Sequence, residues 1–280
     1  MDNVTREENP RKSRIREIYG SLFAFFGYIL LWLALKVAAY GVGAVIYLSR
    51  YREETARMSF SEIGEMLQRL LSAHAGMLSL IANGAFVVIA LIIMAARRKN
   101  PVRETGLGRA RPLPCLLAIP LGASLGFLIG TALSFVPWPT VSFRESVPAA
   151  PEILDGTAIM ILSVAVVTPI AEELLFRGIG VSKIRKTLGA VPAVLIASIL
   201  FAAAHGEPGA ACGALVFGLF LGPLFLKYGL IPCVLCHAAF NLTAYFAEGR
   251  VFDPTLVLGI ALSCAAAAIG SLYLTFKRKG

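Results

Sequence analysis

Charge is what this sequence has least of. Only 15% of its 280 residues are Asp, Glu, Lys or Arg, and 57% are hydrophobic. Soluble domains carry about 25% charged residues, so the shortage excludes an ordinary soluble protein. Apolar runs of roughly 17–25 residues recur along the whole length, and no stretch between them is long enough for a separate soluble domain. Acidic charge is the scarcer sign, 17 residues against 26 Lys and Arg, for a net charge of +9. No basic domain gathers that excess, so no nucleic-acid partner is expected. Positive charge on such chains marks cytoplasmic loops. The five cysteines, at 115, 212, 233, 236 and 264, all lie in or beside apolar segments. With no paired set in a loop, a disulfide framework is excluded. There is no internal repeat, which weakens a reading as an inverted-repeat transporter. No small-residue cleavage site follows a short apolar core, so the first segment reads as a retained signal anchor.

What is present is a series of eight apolar segments, roughly 21–48, 77–96, 115–136, 156–181, 191–205, 210–226, 229–247 and 255–276. They predict an all-α fold, a polytopic transmembrane helical bundle of about eight spans. The fifth and sixth segments meet at Gly206-Glu207-Pro208-Gly209, which fits a helical hairpin or a re-entrant segment. Counting Lys and Arg by loop places both termini in the cytoplasm. Arg6, Arg11, Lys12, Arg14, Arg16, the run Arg97 to Arg111, Lys183, Arg185, Lys186, Lys227 and Lys277 to Lys279 then fall inside. Residues 1–20 form a basic cytoplasmic tail. Residues 21–152 form an N-terminal transmembrane region of three spans. Its outside loop, 59–74, has apolar residues at helical spacing (Phe60, Ile63, Met66, Leu67, Leu70, Leu71), with Ser59 or Ser61 as a cap. It reads as an amphipathic helix on the membrane surface or against the bundle. Gly122, Gly126 and Gly130 recur every four residues and form a smooth face for a neighbouring helix. Residues 248–280 hold the last span and a basic tail. An integral multi-pass protein of the cell membrane is expected.

Against this background Glu172 and Glu173 stand out, side by side within the apolar stretch Ile159 to Gly180. A carboxylate there costs roughly 2.5–3.5 kcal/mol on insertion scales. The pair is therefore either closed in a polar network or faces a watered cavity. Glu173 and Arg177 are four apart and share a helix face. Glu172 is turned about 100° away from Glu173 and is free to look into a site. Of three histidines, His74 lies in the surface loop, and His205 and His237 lie in apolar segments. His237 and Asn241 are again four apart. Glu, His and Asn in one membrane interior are the types needed for acid–base chemistry or metal ligation. Taken singly, Glu173–Arg177 reads as structural, and Asn241 or His237 as a hydrogen bond between helices. Their joint occurrence points to a site.

Glu172-Glu173-Leu174-Leu175-Phe176-Arg177 resembles the EExxxR motif of the CPBP family, the CAAX proteases and bacteriocin-processing enzymes also called the Abi family. Phe201 to His205 is similar to its FxxxH motif, and His237 to Asn241 to its HxxxN motif. The order is also the family's, over about residues 155–245, and marks 153–247 as a protease-like core. The resemblance implies an intramembrane peptidase similar to the type II CAAX prenyl endopeptidases. In that family the first Glu and first His activate water, and the second His and the Asn stabilise the oxyanion. Carried over, Glu172 and His205 are the water activators and His237 and Asn241 the oxyanion pair, with Glu173 and Arg177 in support. The implied substrate is a membrane-associated peptide or protein, lipid-modified in some relatives, with membrane lipid around it.

The cofactor question stays open at this stage. Glu172, His205 and His237 resemble the ligands of a catalytic zinc, but no HExxH is present, and a ligating Glu172 would need another base. A metal-independent site is slightly preferred. Counting residues from the cytoplasmic charges puts Glu172 and His237 at one depth and His205 several ångströms deeper. Cys233-Val234-Leu235-Cys236-His237 matches the haem-attachment pattern CxxCH, yet it lies within a span near its cytoplasmic end, so haem is not expected. The rival functions are a proton-coupled transporter and a non-cleaving immunity or binding protein on the same scaffold.

Overall fold

A computed structural model describes residues 10–134, 136 and 154–247, with residues 255, 258, 259, 262, 263 and 266. All regular structure among them is helical. Seven of the eight expected apolar segments appear as helices. Most of the eighth, 255–276, the outside loop 137–153, residues 1–9 and residues 267–280 lie outside the described residues. Helix α1 spans Pro10–Arg50, α2 Phe60–Ala73, α3 Ala75–Ala96 and α4 Pro112–Ser134. A long helix, α5, runs on from residue 154 to residue 188. It alternates α-helical stretches (Leu154–Leu162, Thr168–Glu173, Ser182–Leu188) with two wider π-helical ones, Ser163–Val167 and Leu174–Val181. Helices α6 (Ala190–Ala203), α7 (Pro208–Tyr228) and α8 (Leu230–Ala247) complete the bundle. Helices α1, α3, α4, α5 and α7 are long and apolar enough to cross a membrane, while α6 and α8 are shorter.

Helix α5 is the axis of the bundle and the most buried of the long helices. Its flanks are covered by α1, α3, α6 and α8. The two π-helical stretches bracket Glu172 and Glu173. Widening a helix withdraws carbonyls from the regular ladder, a feature found often at functional sites. In lipid each such carbonyl needs a partner from elsewhere in the protein. Asn241 provides one, donating from Nδ2 to Val164 O at 2.9 Å.

Helices α4 and α8 pack along their length. A Cβ on Gly122 would collide with the Cys236 carbonyl, and one on Gly126 would meet Phe240 O at 3.1 Å. Two of the three expected glycines thus let the backbones touch, while Gly130 faces open space. This contact fixes the height of α8, which carries His237.

The basic loops gather at one end of the bundle. Arg109 Nη1 donates to Leu226 O at 2.8 Å, and Lys186 pairs with Glu104 at 3.3 Å. Gly229, at φ +83°, lies so close to the Gly106 carbonyl that no side chain fits. Helix α2 leaves α1 near the other end. Its N-terminus is closed by a capping box in which Ser59 N–H donates to Glu62 at 2.7 Å and Glu62 N–H to Ser59 Oγ at 3.3 Å. The amide and hydroxyl of Ser59 hold the Glu62 carboxyl below its ordinary range. None of the α2 residues is fully buried, and Phe60 is almost wholly exposed.

The tight connection around Gly206 forms a helical hairpin. Helix α6 is only 14 residues long, about 21 Å at 1.5 Å per residue. It therefore ends within the bundle, and His205 follows just past its last turn.

Candidate active site

Glu172, Glu173, Arg177 and His237 come together in the bundle core. Glu172 is 6% exposed, Glu173 0%, Arg177 1% and His237 3%, so these charges face one another and not lipid. Arg177 Nη1 donates to Glu173 Oε1 at 2.6 Å, the i, i+4 pairing that α5 imposes. The same oxygen accepts from His237 Nδ1 at 2.8 Å. A carboxylate oxygen only accepts, so Nδ1 carries the proton and the other ring nitrogen of the neutral imidazole is bare. That nitrogen, Nε2, faces Glu172 Oε2 at 3.8 Å. The gap is too long for a direct hydrogen bond. It leaves the two acceptor atoms facing each other without a bond between them.

Aromatic rings wall this cluster. Phe201 and Phe217 contact the His237 ring edge-on, with centroids at 5.8 and 5.2 Å. The Arg177 guanidinium lies over Phe201 at 4.5 Å, a contact that eases the burial of a cation. Gly218 leaves room for Arg177 Nη2, which an added Cβ would approach to 3.2 Å.

His205 packs on Phe201 with ring centroids at 4.6 Å, and its Nδ1 donates to Phe201 O at 2.8 Å, which leaves Nε2 as an acceptor in the neutral ring. One aromatic ring thus touches both imidazoles. His205 stands about one helical turn beyond the Phe201 layer, while Glu172 and His237 share a level. Asn241 follows His237 by one turn and is half-buried. One of its two amide hydrogens is committed to Val164 O, and the second remains.

The metal-ligand set considered from sequence does not come together here. Glu172 and His237 face each other, but among the described residues no three His, Cys, Asp or Glu side chains converge as ligands. Zinc in a catalytic site takes three protein ligands, so the donors present do not fit one. The CxxCH pattern is absorbed by packing. Cys233 and Cys236 are both completely buried, and the Cys233 thiol donates to the carbonyls of Gly229 and Leu221 at 3.4 and 3.6 Å.

Sequence reasoning missed a second polar layer contributed by α1 and α3. Trp32 Nε1 donates to Asn83 Oδ1 at 2.8 Å. Asn83 Nδ2 donates in turn to Thr168 Oγ1 at 2.9 Å and Ser79 Oγ at 3.0 Å. Thr168 lies one turn before Glu172 on α5. Lys36, one turn after Trp32 on α1, holds its ammonium 3.8 Å from the Trp32 ring. The signal was available. Lys36 is an ionisable residue inside the first apolar segment, the same criterion that singles out Glu172.

Residues 155–243 match the family model described as type II CAAX prenyl endopeptidase Rce1-like. This is the family that the three motifs resemble, and the matched segment contains all of them. No curated protein and no solved structure matches the chain.

Proposed function

We propose that this chain, whose residues 155–243 carry a type II CAAX prenyl endopeptidase-like domain within an integral membrane protein, hydrolyses a peptide bond of a membrane-associated peptide or protein. The family match supports an intramembrane endopeptidase, and the residue roles start from those that the family resemblance implies. The observation that carries it is the arrangement of Glu172 Oε2 and His237 Nε2 at 3.8 Å, with His237 Nδ1 held by Glu173 at 2.8 Å.

In this reading Glu172 takes a proton from water as the water oxygen bonds to the scissile carbonyl carbon, and the carbonyl oxygen becomes an oxyanion. A general base must stand within hydrogen-bond reach of the proton it removes, and Glu172 is the carboxylate not already committed to Arg177. His205, with Nδ1 tied to Phe201 O, offers Nε2 as a second acceptor to orient the water. The proton passes from Glu172 to His237 Nε2 once the 3.8 Å gap closes to hydrogen-bond distance in the substrate complex, as catalytic contacts do. Glu173 on the opposite nitrogen favours the imidazolium, as the carboxylate does in a Ser–His–Asp triad. His237 then donates to the oxyanion, together with the free amide hydrogen of Asn241. Collapse of the tetrahedral centre breaks the C–N bond, and the leaving amine takes the proton from His237.

The decisive experiment compares the peptides released in membranes containing wild-type protein with those from Glu172→Gln. The substitution keeps shape and removes the base. Products should disappear while protein level stays normal. Unchanged products in Glu172→Gln would defeat the proposal.

A further inference from the structure

Helix α1 carries no part of the three motifs, yet it runs antiparallel to α5 directly beside them. The register is set by aromatic contacts. Phe25 lies against Gly180, where an added Cβ would meet its ring at 2.6 Å. Seven residues on, Trp32 meets Phe176 edge-on with centroids at 6.1 Å and planes at 86°. Side chains four apart share a helix face. From the Trp32–Phe176 contact, one turn forward on α1 reaches Lys36 and one turn back on α5 reaches Glu172. This register puts the two residues at one level of the neighbouring helices.

Charge balance gives this placement meaning. Two adjacent carboxylates are buried on α5. Glu173 is met directly by Arg177 and also takes His237 Nδ1. Glu172 has no salt bridge to Lys or Arg among the described residues, and its nearest basic group, His237, presents a bare nitrogen at 3.8 Å. Apart from Arg177, which Glu173 engages, the described groups around it bring no other cation. Helix α3 has no titratable side chain between Ala75 and Ala96, and α8 offers Cys233, Cys236 and His237 on this side. The Lys36 ammonium is held in place. It rests on Trp32, whose indole is buried, hydrogen-bonded to Asn83 and linked through Asn83 to Thr168. A lysine that merely crossed the membrane would extend its head toward the interface. This one is folded back onto a ring fixed at the level of the motif helix.

We propose that Lys36 is a positioning residue of the site, the counter-charge that keeps the Glu172 carboxylate directed away from Arg177 and toward His237. The catalytic part of this proposal rests on the reading of Glu172 as the base, whereas the pairing of Lys36 with Glu172 does not.

The test is a double-mutant cycle on the purified full-length protein in lipid nanodiscs. It uses Lys36→Met, Glu172→Gln, the double variant and Lys36→Arg. If Lys36 balances Glu172, Lys36→Met lowers the melting temperature in the wild-type background and changes it little, or raises it, in Glu172→Gln. Lys36→Arg restores the wild-type value. Should Lys36→Met fail to fold, recovery of folded protein on adding Glu172→Gln supports the pairing, and continued failure overturns it. Equal losses in both backgrounds would mean that Lys36 only packs on Trp32, and the proposal falls. Turnover is read on a peptide selected from a quenched-fluorescent library. Lys36→Met should lower kcat about tenfold, within the range of coupling between contacting groups, with KM little changed and activity recovered in Lys36→Arg. A raised KM at unchanged kcat overturns the positioning role. If Glu172→Gln itself cleaves, the assignment of the base fails, while the melting cycle still decides the pairing.

Discussion

His237 turns its Nδ1–H to Glu173 Oε1, 2.8 Å away, across 64 residues of sequence. The bond ties α8 to α5 in the bundle core and fixes which imidazole nitrogen faces Glu172. Glu173 is thus more than the partner of Arg177. It sets the tautomer of a histidine in the candidate site.

Glu173→Gln separates the two adjacent carboxylates. An amide of the same size removes the charge that both Arg177 and His237 use, leaving a buried guanidinium without its counter-ion. Thermal unfolding in detergent should show Glu173→Gln, which takes the counter-ion from Arg177 and His237 together, less stable than Glu172→Gln. Equal stability of the two variants would contradict the division of roles.

Arg177→Ala removes the other half of the pair. Breaking a buried ion pair from one side typically costs about 3–5 kcal/mol, because the remaining charge stays desolvated. The protein should accumulate poorly and melt early. Normal yield and melting would show that Glu173 is satisfied without Arg177. Gly218→Ala should mimic this loss weakly, since its Cβ would press on Arg177 Nη2.

Much of this was legible in the chain, for identifiable reasons. Intramembrane charge is rare and expensive, so Glu172, Glu173 and Arg177 announced themselves, and their spacing assigned the i, i+4 pair. Counting rise per residue put Glu172 and His237 at one depth, and the structure has them 3.8 Å apart. The bond between His237 and Glu173 was not legible, because residue spacing carries no information on how α8 is rotated against α5. Asn241 offers a similar lesson. Its bond to Val164 exists because α5 widens into a π-helical stretch, and the apolar run 163–167 gives no sign of that widening. Lys36 and Asn83 were not legible in this way, because both lie in helices that carry none of the motifs.

Gly122→Ala tests whether the α4–α8 contact positions the site. The added methyl would collide with the backbone carbonyl of Cys236, which cannot rotate aside as a side chain could. Helix α8 must shift, carrying His237 and Asn241 with it. A loss of stability in the overpacking range of about 1–3 kcal/mol is expected, with reduced cleavage even in the folded fraction. Gly130→Ala, which faces open space, is the matched control and should be silent. Equal behaviour of the two would show that the contact is looser than it looks.

The clustering of basic loops at one end of the bundle predicts sidedness. Single cysteines at Ser61, in α2, and at Lys99, in the basic loop, should label from opposite faces of intact membranes. The background should lack the native cysteines, since Cys212 is exposed. An impermeant maleimide added to whole cells should reach Ser61→Cys at once and Lys99→Cys only after permeabilisation. Labelling of both from outside would overturn the charge-based orientation.

Metal dependence follows from how many donors converge. Glu172 and His237 provide two facing atoms, and His205 packs on Phe201, its Nδ1 already donating to a backbone carbonyl. Completing a three-ligand site would require His205 or the Phe201 ring it packs on to move. Phe201 is itself held by Phe176, at 5.2 Å, and by the Arg177 guanidinium. Moving it would therefore disturb the Glu173–Arg177 pair as well. Cleavage should accordingly persist after dialysis of purified protein against a strong chelator, and metal analysis should find well under one equivalent. Stoichiometric zinc, with activity lost on chelation and restored by zinc alone, would reverse this. It would also predict that Phe201→Ala, by freeing His205, raises zinc affinity.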